Sequence, residues 1–439
     1  MITVDVDERI DASPIGALQS RIVAICFVLA LIDGFDAQAI AFVAPLLKAE
    51  FSIGSAQMGV LFAAALAGLM VGAFVFSPLA DRFGRKPVIF VSCAIMGAFA
   101  LLTAVASSLE ELLIYRFLTG VGLGGVMPQI NTLTSEFAPA RRRAFLMTTM
   151  FIGFPVGAVL GGLVSNLLIQ KFGWQSVFIL GGVAPLLMLP VVALSLPESI
   201  RFLAISGRQQ NAITKLLSQI DRSIEPDEYY QFSATGGQQS TRVIVGLFSG
   251  GRGLGTLLIW TIVFASLLTM YSLMSWLPSV MTAAGLPLED AILTAVTLNL
   301  GGVIGGLLIA AAIDRQGPFG VLAAVFLLGA FAIALIGQSA GHLPLAFTAV
   351  FVSGAAVIGG QLGMNALVVR FYPTEMRATG LGWALAVGRI GSIIGPIVVG
   401  FTISLGWSLQ SVFILAAIPA FLCAGVTIIL QRLTPLSTA

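Results

Sequence analysis

Ala80-Asp81-Arg82-Phe83-Gly84 recurs in the second half of the chain as Ile313-Asp314-Arg315-Gln316-Gly317. Two further matches share nearly the same offset. Phe137-x-Pro139-x-x-x-Arg143-Ala144 is echoed by Phe371-x-Pro373-x-x-x-Arg377-Ala378, and the run Gln175 to Leu180 returns as Gln410 to Leu415. Three matches at almost one spacing mark the chain as two copies of one unit. Composition says what kind of unit. Hydrophobic residues make up 58% of the chain, charged residues 10%, and the mean hydropathy is +1.01. A soluble domain carries about 25% charged residues. Long apolar runs recur throughout, each of a length that crosses a bilayer core. Lipid offers no partner to free backbone groups, so spanning segments are helices or closed barrels. Barrel strands alternate over about ten residues; these runs are longer and apolar all round, which favours helices.

The sequence places twelve spans, at about 22–47, 56–79, 87–107, 110–135, 144–170, 174–196, 256–284, 289–313, 319–338, 343–371, 376–402 and 409–432. The expected division is an N-terminal tail (1–21), a six-helix bundle (22–196), a polar central loop (197–255), a second bundle (256–432) and a short C-terminal tail (433–439). Of the 22 Lys and Arg, 18 fall in the tails and the loops on their side, two (Lys48 and Lys171) on the other side, and Arg116 and Arg389 within spans. By the positive-inside rule this predicts cytoplasmic termini. The N-terminus is acidic and lacks the basic start of a cleaved signal, so the first span is expected to be retained. Cys26, Cys93 and Cys423 lie in apolar spans and read as small core residues. Duplicated bundles related by an axis along the membrane normal are expected to hold a ligand near the midplane.

Asp81-Arg82-Phe83-Gly84-Arg85-Lys86 resembles the signature loop of the major facilitator superfamily, with Ser77 where a leading Gly is usual. The resemblance implies an all-α membrane protein of twelve helices in two pseudo-symmetric six-helix bundles, the major facilitator fold. Asp81, Arg82 and Arg85, with Asp314 and Arg315 in the repeat, would then latch the halves and gate access. Four further stretches carry a narrower resemblance: Asp33-Gly34-Phe35-Asp36, Arg116 to Gly124, Pro197-Glu198-Ser199-x-Arg201-Phe202-Leu203, and Phe371-Tyr372-Pro373 through Arg377, Gly388-Arg389 and Gly395-Pro396. Together these look like the aromatic acid:proton symporter family. Membership implies proton-coupled import of a benzoate- or hydroxybenzoate-type acid by alternating access. It also implies a monomer in a bacterial inner membrane, with protons, a small aromatic acid and lipid as its partners and no nucleic acid.

Four charged side chains sit well inside spans: Asp33, Asp36, Arg116 and Arg389. An ionisable group in a membrane is expensive unless paired or wetted, so each is a functional candidate. Asp33 lies eleven residues into its helix, about 17 Å along it, and Asp36 follows one turn later, able to face the same cavity. Two close carboxylates in poor solvent resist double ionisation, so the pair is a candidate proton carrier; alternatively it neutralises Arg116. Arg389 is the first candidate for the substrate carboxylate, which a guanidinium grips through two parallel hydrogen bonds. Arg116 is the second, or else part of a buried ion pair. Gln129, Asn131, Asn299, Gln361 and Asn365 either line a site or join helices. Tyr271, Trp276, Phe35 and Trp383 are candidates to stack on a ring, with plain packing as the alternative. Glu136 and Glu375 stand near Arg143 and Arg377 and read as interbundle ion pairs. His342, in an outer loop, is assigned no role.

A rival within the superfamily is a proton-coupled exporter of drugs or metabolites, whose fifth helix often carries Gly-x-x-x-Gly-Pro-x-x-Gly-Gly. Gly153 to Gly162 comes close, with Ala158 where Pro is usual. An enzyme or ATP-driven pump is disfavoured. No Gly-x-x-x-x-Gly-Lys phosphate loop occurs, and one peripheral histidine is a poor basis for acid–base catalysis. Neither a cofactor nor a metal site is expected.

Overall fold

Bilayer-length apolar runs become long helices in the computed structural model, which describes residues 2–206, 210–221, 224, 230–233, 246–339, 342–373 and 376–433. In chain order the elements are β1 (Ile2–Asp5), α1 (Val6–Ala12), α2 (Ala17–Glu50), α3 (Ser55–Phe83), α4 (Arg85–Ala104), α5 (Leu109–Phe137), α6 (Ala140–Phe172) and α7 (Gln175–Ser195). Then come α8 (Ile200–Ser206), α9 (Gln210–Leu217), β2 (Tyr230–Ser233), α10 (Gly253–Ala283), α11 (Leu288–Gln316), α12 (Pro318–Ile336), α13 (Leu343–Phe371), α14 (Arg377–Ser404) and α15 (Leu409–Leu433). Among the described residues, α2 to α7 and α10 to α15 are the twelve expected long helices. Eleven are long and apolar enough to cross a membrane, so the chain is a multi-pass membrane protein. The exception is α5, whose 29 residues include Glu110, Glu111, Arg116, Gln129 and a run of glycines. Its buried residues include Arg116, Gln129 and Glu136; a helix enclosed by others needs no lipid-compatible surface.

The duplication is visible in the backbone. Gly84 joins α3 to α4 with φ 101° and ψ 163°; Gly317 joins α11 to α12 with φ 79° and ψ 165°. Gly173, between α6 and α7, and Gly406, between α14 and α15, repeat the correspondence, with φ 79° and 78°. Positive φ is open to glycine at little cost, so the repeated glycines are repeated turns.

The chain packs as two compact units. The first comprises Met1–Ala37, Ala67–Gly157 and Gln175–Gln238; the second, Gln38–Leu66, Ala158–Trp174 and Gln239–Ala439. The boundary therefore cuts α2, α3 and α6. Side-chain packing explains the cut. Within the second unit, Phe62 of α3 meets the edge of Trp276 of α10 at 5.3 Å, and Gly59 lies against the Pro396 carbonyl and Gly400 of α14. Gly162 of α6 faces Val296 of α11, and Phe42 of α2 clusters with Ile292 and Ala295.

Within the first unit, the N-terminal segment is built in. β1 pairs in parallel with β2, Ile2 opposite Tyr230 and Asp5 opposite Ser233. Val4, Val6 and Ile10 join one apolar cluster with Ile200, Leu203, Ile213 and Leu217. Three ion pairs pin the segment: Asp7–Arg201 at 2.6 Å, Arg9–Asp221 at 3.3 Å and Asp11–Arg143 at 3.5 Å. The hydrogen bond from Arg201 to Asp7 raises that guanidinium further above its ordinary value, so it stays charged at any working pH. Val6→Asp, which puts an unpaired charge into a fully buried position, is expected to release the segment. Hydrogen exchange checks this: amides of 2–12 and 200–217 speed up while α2 to α7 stay protected. Unchanged exchange at 2–12 would refute the clasp.

Candidate functional site

α5 carries Arg116 into the first unit with 0% exposure, and Asp36 of α2 meets it. Arg116 Nη1 donates to Asp36 Oδ1 and Nη2 to Oδ2, both at 3.0 Å, and Nη2 also reaches the Asp36 carbonyl at 3.2 Å. The Phe178 ring stands 5.4 Å from the guanidinium carbon. The pair is two-pronged and enclosed, and among the described residues Arg116 Nε has no hydrogen-bond partner. Asp33, one turn earlier, is 2% exposed. α2 and α6 approach closely because Gly157 lies against the Leu31 carbonyl and Gly153 against that of Phe27, where a Cβ would collide. The small-residue stretch of α6 is in these places a packing face. Gln129 is buried, and Asn131 Oδ1 is a buried acceptor with no donor among the described residues.

In the second unit, Arg389 of α14 donates from Nη1 to the hydroxyl of Tyr271 of α10 at 3.3 Å. Among the described residues no carboxylate lies within ion-pair distance of Arg389. Gln361 of α13 accepts from Ser266 of α10 at 2.9 Å, a partner that the sequence reading passed over. Asn365, one turn on, is exposed. Asn299 bonds within its own helix, to the Ala295 carbonyl. Trp276 donates to the Pro396 carbonyl at 2.9 Å and packs on Phe62, while Trp383 stacks on Trp260 with ring centroids 6.1 Å apart. Both tryptophans are therefore engaged with protein, and Phe35 is buried beside Gly181.

The loop charges form their own cluster. Arg85 pairs with Glu136 at 3.3 Å and with Asp81 at 3.7 Å. Glu136 thus bonds inside its own unit; the expected neighbour Arg143 instead holds Asp11 and the Ala138 carbonyl. Arg82 lies over Phe83. Glu198, quoted above only as part of a motif, accepts from the backbone N–H of Arg85 at 2.8 Å and so caps α4 from a distant part of the chain. Its carboxylate occupies the space a side chain at Gly84 would need. In the repeat, Asp314 and Arg315 are exposed and Arg377 donates to the Tyr372 carbonyl. Glu375 lies outside the described residues.

These features fit a carrier, and comparison with known proteins fixes the family. Residues 26–388 match the family model described as Major Facilitator Superfamily. The 4-hydroxybenzoate transporter PcaK of Pseudomonas putida is 39% identical over 98% of this chain and 96% of its own length. The gallate transporter of the same species is 36% identical over 96% and 94%. A solved structure of the xylose transporter XylE from E. coli, in a partially occluded inward open conformation, superposes with a TM-score of 0.74 at 18% identity, covering 96% of this chain and 99% of the other. The chain belongs to the major facilitator superfamily, a family of membrane transporters and not of enzymes.

Proposed function

We propose that this protein imports an aromatic carboxylic acid of the benzoate or hydroxybenzoate type together with protons, by alternating access across a bacterial inner membrane, as a monomer with cytoplasmic termini. The observation that carries the reading is Arg389, a guanidinium within an apolar span whose protein partner is a neutral tyrosine hydroxyl. Such a charge is stabilised when a substrate carboxylate joins it. The relatives' names supply the aromatic ring. Asp36 is held by both prongs of Arg116, so the proton-exchanging role falls to Asp33. The packing of α2, α3 and α6 on α10, α11 and α14 serves as the closed outer gate. The cluster of Asp81, Arg85 and Glu136 serves the opposite side.

Uptake of labelled 4-hydroxybenzoate into proteoliposomes tests the reading. An imposed inward proton gradient is expected to drive accumulation, and an uncoupler to abolish it. Asp33→Asn is expected to lose uphill accumulation while retaining substrate counterflow, because an amide cannot release a proton. Accumulation that survives both the uncoupler and this substitution would remove proton coupling from the account.

A further inference from the structure

α10 and α14 meet along a seam of small residues. Gly388 lies beside Val263 and Leu267, Gly391 against the Phe264 carbonyl, and Gly395 against the Leu268 carbonyl and the Ser272 hydroxyl. At Gly391 any Cβ would collide with backbone, so the two helices are in main-chain contact there. This fixes the relative positions of the two side chains beside the seam, Arg389 and Tyr271. Arg389 Nη1 donates to Tyr271 Oη at 3.3 Å. A phenol that accepts one hydrogen bond keeps its own O–H to give. Among the described residues nothing accepts that hydrogen, and the other guanidinium N–H groups find no carboxylate. Tyr271 is 9% exposed and its bond to Arg389 is partly buried, so water competes only in part for the unused donor.

We propose that Tyr271 is a second carboxylate donor. Its O–H binds one carboxylate oxygen while Arg389 holds the other, so the anion is gripped from two helices at once. This rests on the reading of Arg389 as the anchor of the substrate acid. The role differs from ring stacking and from reading a ring hydroxyl. It makes Tyr271 indifferent to ring substituents and sensitive only to the carboxylate, which any benzoate shares.

The test is equilibrium binding of benzoate, 3-hydroxybenzoate, 4-hydroxybenzoate and benzamide to the purified full-length protein, alongside Tyr271→Phe and Arg389→Lys. Phe keeps the ring and removes only the hydroxyl. The expected result is a loss of about ten- to a hundredfold for all three acids by a common factor, the scale of a hydrogen bond to a charged group. Weak benzamide binding is expected to stay unchanged. Site-specific 3-fluorotyrosine at 271, nearly isosteric and a stronger donor, is expected to bind the acids at least as tightly, which guards against a Phe variant that folds poorly. Unchanged acid binding in Tyr271→Phe would mean stacking or packing, and loss confined to the hydroxylated acids would mean ring recognition; either overturns the proposal. If Arg389→Lys leaves every acid unaffected, the anchor reading itself fails and takes this inference with it. Sensitivity to Arg389→Lys without sensitivity to Tyr271→Phe refutes the inference alone.

Discussion

Asp36→Asn is expected to destabilise the protein by about 3–5 kcal/mol, the scale of removing one partner from a buried ion pair. Arg116 would remain at 0% exposure with an amide where two charged hydrogen bonds had been. Arg116→Met is expected to do similar damage by stranding Asp36. The double variant Asp36→Leu with Arg116→Met removes both charges and is expected to recover most of the loss, since a buried pair is often replaceable by apolar residues of similar volume. Thermal unfolding of the purified proteins reads all three. An Asp36→Asn protein that melts with the parent would show that the pair does not hold α2 to α5. Proton-driven uptake by the double variant then separates roles: retained uptake marks the pair as structural, and a folded but inactive double variant returns Asp36 to the proton pathway.

Arg389→Ala is expected to weaken binding of the acid by about 2–5 kcal/mol, as for truncation of one member of a desolvated charged pair. Arg389→Lys keeps the charge but loses the planar fork, so a smaller but clear loss is expected. The amide analogue of the substrate, which lacks the negative charge, is expected to bind the parent poorly and to lose little further in the Ala variant. Calorimetry with acid and amide on both proteins decides the matter. Equal losses for acid and amide would make Arg389 a structural element of the α10–α14 seam.

The helices were legible because the bilayer leaves few alternatives: a run such as 318–336 has no other stable use. The duplication was legible because turns that need glycine repeat with it, as at Gly84 and Gly317. Pairing was harder to read. Asp33 and Asp36 are one turn apart, and only the lateral position of α5 decides which of them meets Arg116. Glu136 lies near Arg143 in sequence, but a neighbouring helix brings Arg85 closer. The acidic N-terminal segment looked like a solvated tail. Two short strands, one at the very start of the chain and the other beyond α9, leave no periodicity to find. The only clue was Asp7 and Asp11 set against the basic loops that they meet.

That clasp has a consequence for how the chain is made. Ile2 cannot pair with Tyr230 until everything between them has been synthesised, and that stretch includes all six helices from α2 to α7. At about 5–20 residues per second, synthesis takes roughly ten to forty-five seconds to supply the partner strand. Until Ile200 to Leu217 have been made, Val4, Val6 and Ile10, which end up almost wholly enclosed, lack the apolar partners of α8 and α9. These early-made residues are thus among the last to settle, and the clasp closes only once α2 to α7 have been made. A chain truncated before Ile200 would lack those apolar partners and keep the segment uncovered, a mark by which cellular quality control could tell it from a finished protein.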